Sequence, residues 1–445
     1  GDAGVTNNPT ITGATTENLT VSGDYLINAA GIMTQSIGGT INFTGAYDAG
    51  PHNITSNGQT IAHRVVINNA TASIITNTDA MVCTGMFDLT DGEWNLGATM
   101  TCDTLSTNIV TTNTREFDFN GNDVTITGGG TWTALSEQIV LDFRDNATGN
   151  LTITGAAGQT ITFNAAVEDV TCELGQTAKT VPSLAFTGMT DDCIIHTRTN
   201  SNLTSTLITI GDITVSNDGA DLLIDDWRAT TANGSRRGNR KTIGTITMPN
   251  NSELNLFTPH LDGTGGGSLV TSMTDADQSL IGGLVTGTNL VAWFRGEYMR
   301  FSGAVNIGTD AEITFREETR FDTDVTIAGT TGNHIYCWED VDMDAGTFTA
   351  ASGTSVFYMR RDHNFNNVSV AANASLQLDP DANRDHVING TTDLANAAYL
   401  GIKFGTCEIT FTGATTVGTN AHLEIDNSNE PTNFGNTLTL QSGSI

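Results

Sequence analysis

The sequence predicts an all-β chain wound as a parallel β-helix, a β-solenoid with three short strands in each rung of about 21 residues. Three observations carry this. Large apolar or aromatic residues recur 21 apart at Met273, Phe294, Phe315, Tyr336, Phe357, Leu378 and Tyr399. Between them lie short triplets that alternate apolar and polar residues, the period-2 pattern of a strand with one buried face. The composition suits strands and tight turns: 75 Thr and about 40 Asn stand beside 48 Gly and only 7 Pro.

The triplets can be followed along the chain. One rung reads Trp293-Phe294, Met299–Phe301 and Val305–Ile307. The next reads Ile313–Phe315, Thr319–Phe321 and Val325–Ile327, and the third His334–Tyr336, Val341–Met343 and Thr347–Thr349. Ser302, Gly308, Asp322 and Asp344 directly follow four of these triplets, as a corner requires. Stacking such rungs lines up inward side chains as columns, and each rung contacts only its neighbours. The N-terminal half repeats less evenly. Phe119, Phe143, Phe163 and Phe186 are 24, 20 and 23 apart, and the pairs Ile41/Phe43, Val65/Ile67 and Phe87/Leu89 recur every 22 to 24. The same coil with variable turns accounts for this, and a separate β-sandwich is the other arrangement such spacing permits.

The expected organisation has three parts. Residues 1–258 form an N-terminal solenoid block with a basic loop at 228–241. Residues 259–290, rich in Gly, form an irregular excursion or hinge. Residues 291–445 form a C-terminal block with the regular repeat.

Charge narrows the function classes. With 49 acidic and 18 basic residues the net charge is -31. A surface this acidic does not suit nucleic acid, whose phosphates call for Lys and Arg. No run of about 18 apolar residues exists to cross a membrane as a helix. An acidic surface with only three Lys suits salty or extracellular surroundings, where ions screen self-repulsion.

Certain residues could carry chemistry. Cys83 and Cys102 are 19 apart, and Cys172 and Cys193 are 21 apart. On adjacent rungs, roughly 4.8 Å apart, each pair falls within disulfide range; small core thiols are the other reading. Glu297, Glu318 and Glu339 recur at steps of 21, and Asp322, Asp342 and Asp362 at steps of 20. Stacked carboxylates repel, so they call for a cation such as Ca²⁺, for pairing with Arg295, Arg316, Arg320, Arg360 or Arg361, or for open solvent. The basic cluster Arg236, Arg237, Arg240 and Lys241 could dock on the acidic flank of a second copy or simply be solvated. No P-loop, zinc-protease, nucleophile-elbow or EF-hand pattern is present.

The strings Asn18–Gly23, Thr40–Gly45, Asn150–Gly155 and Glu408–Gly413, which read NLTVSG, TINFTG, NLTITG and EITFTG, give the chain a family likeness. It resembles right-handed parallel β-helix surface proteins: adhesin passenger domains, extracellular filament subunits and phage tail fibres or spikes. The resemblance implies a structural protein at the cell surface or outside the cell that assembles with copies of itself through solenoid ends and loops, and that could meet surface glycans. A tail fibre or spike on a virion is the alternative. A polysaccharide lyase or hydrolase is the second, since that class shares the fold.

Overall fold

A computed structural model describes residues 18–26, then 39–106 and 115–126 with gaps, mainly strands between 138 and 196, then 207–224, 240–257 and 279–444 with short gaps. Among the described residues every regular element is a strand, and none is a helix. The strands pair in parallel, each with its counterpart one rung on, so the chain is an all-β parallel solenoid. Among the described residues no helix is long and apolar enough to cross a membrane. The chain divides into two compact units, Gly1–Arg198 with Ile208–Asn217, and Thr199–Leu207 with Asp218–Ile445.

In the first unit, Asn18–Val21, Thr40–Phe43, Arg64–Asn68 and the start of Met86–Leu96 stack in sequence. Leu19 lies over Ile41, Val65 and Phe87, and Val21 over Phe43, Ile67 and Leu89, at the uneven spacing expected from sequence. The side chains of both columns from Ile41 and Phe43 onward are buried. Trp94 is enclosed against Phe87, ring centres 5.0 Å apart. Phe163 pairs with Phe186 as predicted; Phe119 and Phe143 lie outside the described residues.

The second unit shows three strands per rung. Val291–Arg295, Glu312–Phe315, Asn333–Cys337, Thr354–Met359, Ser375–Pro380, Tyr399–Lys403 and His422–Asp426 form one wall. Met299–Phe301 through Thr432–Phe434 form the second, and Val305–Ile307 through Leu438–Leu440 the third. The inner columns are almost wholly apolar. Ala292, Ile313, Ile335, Phe357, Leu378, Ile402 and Ile425 make one. Ile307, Ile327, Ala350, Val370, Leu394, Val417 and Leu440 make another.

These registers correct the column of constant step. Phe294 pairs with Phe315, a step of 21, but Phe315 pairs with Cys337, a step of 22. Tyr336 therefore falls on the outer face, stacked on Tyr358 with ring centres 4.7 Å apart. Beyond Val291 the step between rungs runs from 20, as from Met299 to Thr319, up to 24, as from Leu378 to Ile402. Each odd slip turns a side chain to the opposite face. Met273 lies outside the described residues.

The strands flanking the glycine-rich stretch belong to one unit. Residues 258–278 lie outside the described residues. The strands on either side are nevertheless in register: Thr242 with Leu280, and Glu253 with Val291. Residues expected in the excursion form the strand Ser279–Val285. The two units divide near residues 198–218.

Corners explain much of the Asn and Gly. Asn251, Asn289, Asp310, Asn373, Ala397 and Asn420 all adopt φ between 55° and 61°, a left-handed conformation that Asn and Asp tolerate better than most residues. Asn289 donates its side-chain amide to Asn251 Oδ1 at 2.9 Å, joining two such corners. Close approach accounts for other positions. A Cβ on Gly303 would run into the carbonyl oxygen of Gly282 on the preceding rung.

Candidate functional site

Two neighbouring columns of charge run along one corner of the second unit, where each rung leaves the first wall and enters the second. The first holds Arg295, Arg316, Trp338 and Arg360. Backbone hydrogen bonds place the last three on consecutive rungs: Arg316 N–H donates to Phe294 O, Trp338 N–H to Phe315 O and Arg360 N–H to Cys337 O. The guanidinium carbons of Arg316 and Arg360 lie 4.4 and 3.9 Å from the centre of the Trp338 ring, and that of Arg295 lies 5.2 Å from Trp293. Cation–π attraction to Trp293 and Trp338 helps to hold these like charges a rung or two apart.

The second column is acidic. Thr319, Val341, His363, His386 and Ile409 are register partners. The residue before each is Glu318, Asp340, Asp362, Asp385 and Glu408. Asp340, Asp362 and Asp385 are exposed. Neighbouring charges about one rung apart repel by roughly 1 kcal/mol in water, a load eased by polar donors. The Asp385 N–H donates to Asp362 Oδ1 at 3.1 Å, and Asn433 Nδ2 donates to Glu408 Oε1 at 2.6 Å. Asp340, Asp342, Asp362, Asp385, Asn364 and Asn389 line an open groove of about 360 Å³.

This is not the carboxylate arrangement read from spacing. Glu318 lies opposite Asp340, because the step from Thr319 to Val341 is 22. Glu339 stands one position aside and pairs with Arg361 Nε at 3.1 Å. Asp322 follows its strand and is clasped by Arg300 and by Arg320, whose Nε lies 3.3 Å from Oδ1. Asp342 sits within its strand opposite Arg320 and Asn364, and Asp362 precedes its strand, so the three aspartates do not form a column. Glu297 lies outside the described residues. Among the described residues no three of His, Cys, Asp and Glu converge as a metal ion would need. Steps of 22 and 23, tried beside 20 and 21, would have revealed the true column.

The strands of Cys83 and Cys102 pair at the step of 19 read from the sequence. Cys83, Cys102, Cys193 and Cys337 are buried thiols, so neither expected disulfide is present. For Cys172 and Cys193 the reason is register: Cys172 lies opposite Ile195 and Val170 opposite Cys193, two positions out of step. The Cys83 thiol lies 3.3 Å from the Met86 carbonyl oxygen, to which it donates.

Of the basic cluster, Arg236 and Arg237 lie outside the described residues, and Arg240 opens the strand Arg240–Thr247. Lys241 is not on a loop. It follows Arg240 into that strand with its side chain buried, and its ammonium donates to Phe257 O at 2.8 Å. Strand alternation turns it inward, and its N–H donates to Ser279 Oγ at 3.2 Å.

At the last described rung the core opens to solvent. Phe434 stacks on Phe411 with ring centres 4.9 Å apart, yet is 36% exposed, and Leu438 and Leu440 are 41% and 60% exposed. No protein-family model, curated protein or solved structure matches the chain.

Proposed function

We propose that the chain is an extracellular structural protein, a subunit of a surface fibre or filament that joins copies of itself through solenoid ends and loops. The observation that supports this reading is the run of parallel ladders in the second unit, where each strand pairs with its counterpart one rung on over apolar inner columns. Ladders of this kind can be continued by the rung of a second copy. The work of such a protein is mechanical: parallel ladders and stacked side chains resist bending, and the charge of -31 makes the flanks of separate copies repel.

Electron microscopy of the purified protein at rising concentration tests the proposal. End-to-end chains are expected. Monomers at every concentration would overturn the reading. Bundles of three parallel chains would move it to a virion spike, and cleavage of an acidic polysaccharide would move it to an enzyme.

A further inference from the structure

One inner column of the second unit departs from its apolar pattern. It runs Met299, Thr319, Val341, His363, His386, Ile409. The two histidines are core side chains, 2% and 5% exposed, on adjacent rungs. Their rings meet edge to face with centres 5.6 Å apart, and His363 also packs against Phe357 and Phe365. His363 Nδ1 lies 2.6 Å from the Asp362 carbonyl oxygen. His363 Nε2 and both ring nitrogens of His386 have no hydrogen-bond partner among the described residues. Valine and isoleucine hold the same column on either side, so packing alone does not require imidazole here.

The charged surroundings lie across the wall. Asp340 and Asp342 flank Val341 on the preceding rung, Arg360, Arg361 and Asp362 precede His363, Asp385 precedes His386, and Glu408 precedes Ile409. The acidic groove thus runs beside the two imidazoles, with His363 among its lining residues and at least one carboxylate on each of the three rungs.

We propose that His363 and His386 form an acid-sensitive latch: when they take protons from solvent, the rungs that carry them open and the imidazolium groups move out to the carboxylate column, while flanking rungs stay folded. Two imidazolium charges on adjacent rungs of an apolar core would repel each other and lack solvation. Outside, Asp340, Asp362 and Asp385 are placed to receive them. Burial holds His363 down at about 3 and His386 at about 4. These values lie below that of a free imidazole, so the open form binds protons first. The closed form is unaffected above about pH 6.5 and weakens as pH falls from there toward 4 and 3.

Hydrogen exchange of the full chain at about pH 7 and about pH 5, expressed as protection factors, tests this. Relative to Met299–Phe301 and Thr319–Phe321, the strands His363–Phe365 and His386–Ile388 should lose protection by roughly tenfold per histidine for each pH unit below about 6.5. The double variant His363→Val/His386→Ile, which continues the column of Val341 and Ile409, should keep it. A pH-independent wild type, or the same loss in the double variant, would overturn the proposal. If the double variant does not fold, His386→Ile alone carries the test, with half the slope expected and the full slope refuting it.

Discussion

Phe301 and Phe321 stack almost face to face on successive rungs, ring centres 5.1 Å apart and planes 16° from parallel. Phe315 meets both rings edge-on, at 6.0 and 5.7 Å. The three rings fill the core where two walls meet. Phe321→Ala should therefore cost about 3–5 kcal/mol of stability, read as a shift in the denaturant midpoint, whereas Phe321→Leu should cost less because it refills most of the volume.

Ala397 occupies a corner that Asn373 and Asn420 hold on the rungs before and after it, with φ of 58° against 61° and 55°. An alanine bears a left-handed penalty of about 1 kcal/mol there that Asn or Gly largely escapes. Ala397→Asn and Ala397→Gly should each raise the unfolding midpoint, and the same substitutions at Ala398, a buried core position, should lower it.

Thr415 is 1% exposed, and its hydroxyl has no hydrogen-bond partner among the described residues. It pairs in register with Leu438. Replacing a buried, unsatisfied hydroxyl with a methyl group of the same shape removes a desolvation cost. Thr415→Val should stabilise the protein by about 1 kcal/mol in equilibrium unfolding.

Cys337 is enclosed between Phe315 and Met359 in its wall, and burial pushes its thiol well above the usual cysteine value. Because the thiolate is the reactive species, native protein should resist alkylation at Cys337 at neutral pH. Rapid labelling there without unfolding, seen by mass spectrometry, would contradict this placement.

Much of the architecture was legible because strand alternation and rung repetition are written along the chain. The triplets Met299–Phe301, Thr319–Phe321 and Val325–Ile327 are strands as read. The columns of Ile41/Phe43, Val65/Ile67 and Phe87/Leu89 stand where their spacing put them. The charged corner was legible in kind but not in position. Its acids were grouped by a constant step of 20 or 21, while the chain takes 22 from Val341 to His363 and 23 from His363 to His386. Lys241 misled for a similar reason: its neighbours in sequence read as a basic loop, yet it lies one residue inside a strand and faces inward. The buried histidine pair carried no signal in a scan for motifs, since its two members stand a full rung apart in sequence and meet only through register.

By itself, then, the sequence determined that the chain is all-β, that short strands recur rung after rung at a step near 21, and that its surface is strongly acidic. Tertiary structure decided which side chains meet. Side chains alternate with a period of two, so a single extra residue in a turn exchanges core for surface along the next strand. Such register separates Tyr336 from the core, sets Cys172 two positions out of step with Cys193, and brings Asp340, Asp362 and Asp385 into one line with His363 and His386 behind them. A turn's length is settled by how each rung seats on the one below, a contact that no local stretch of sequence contains.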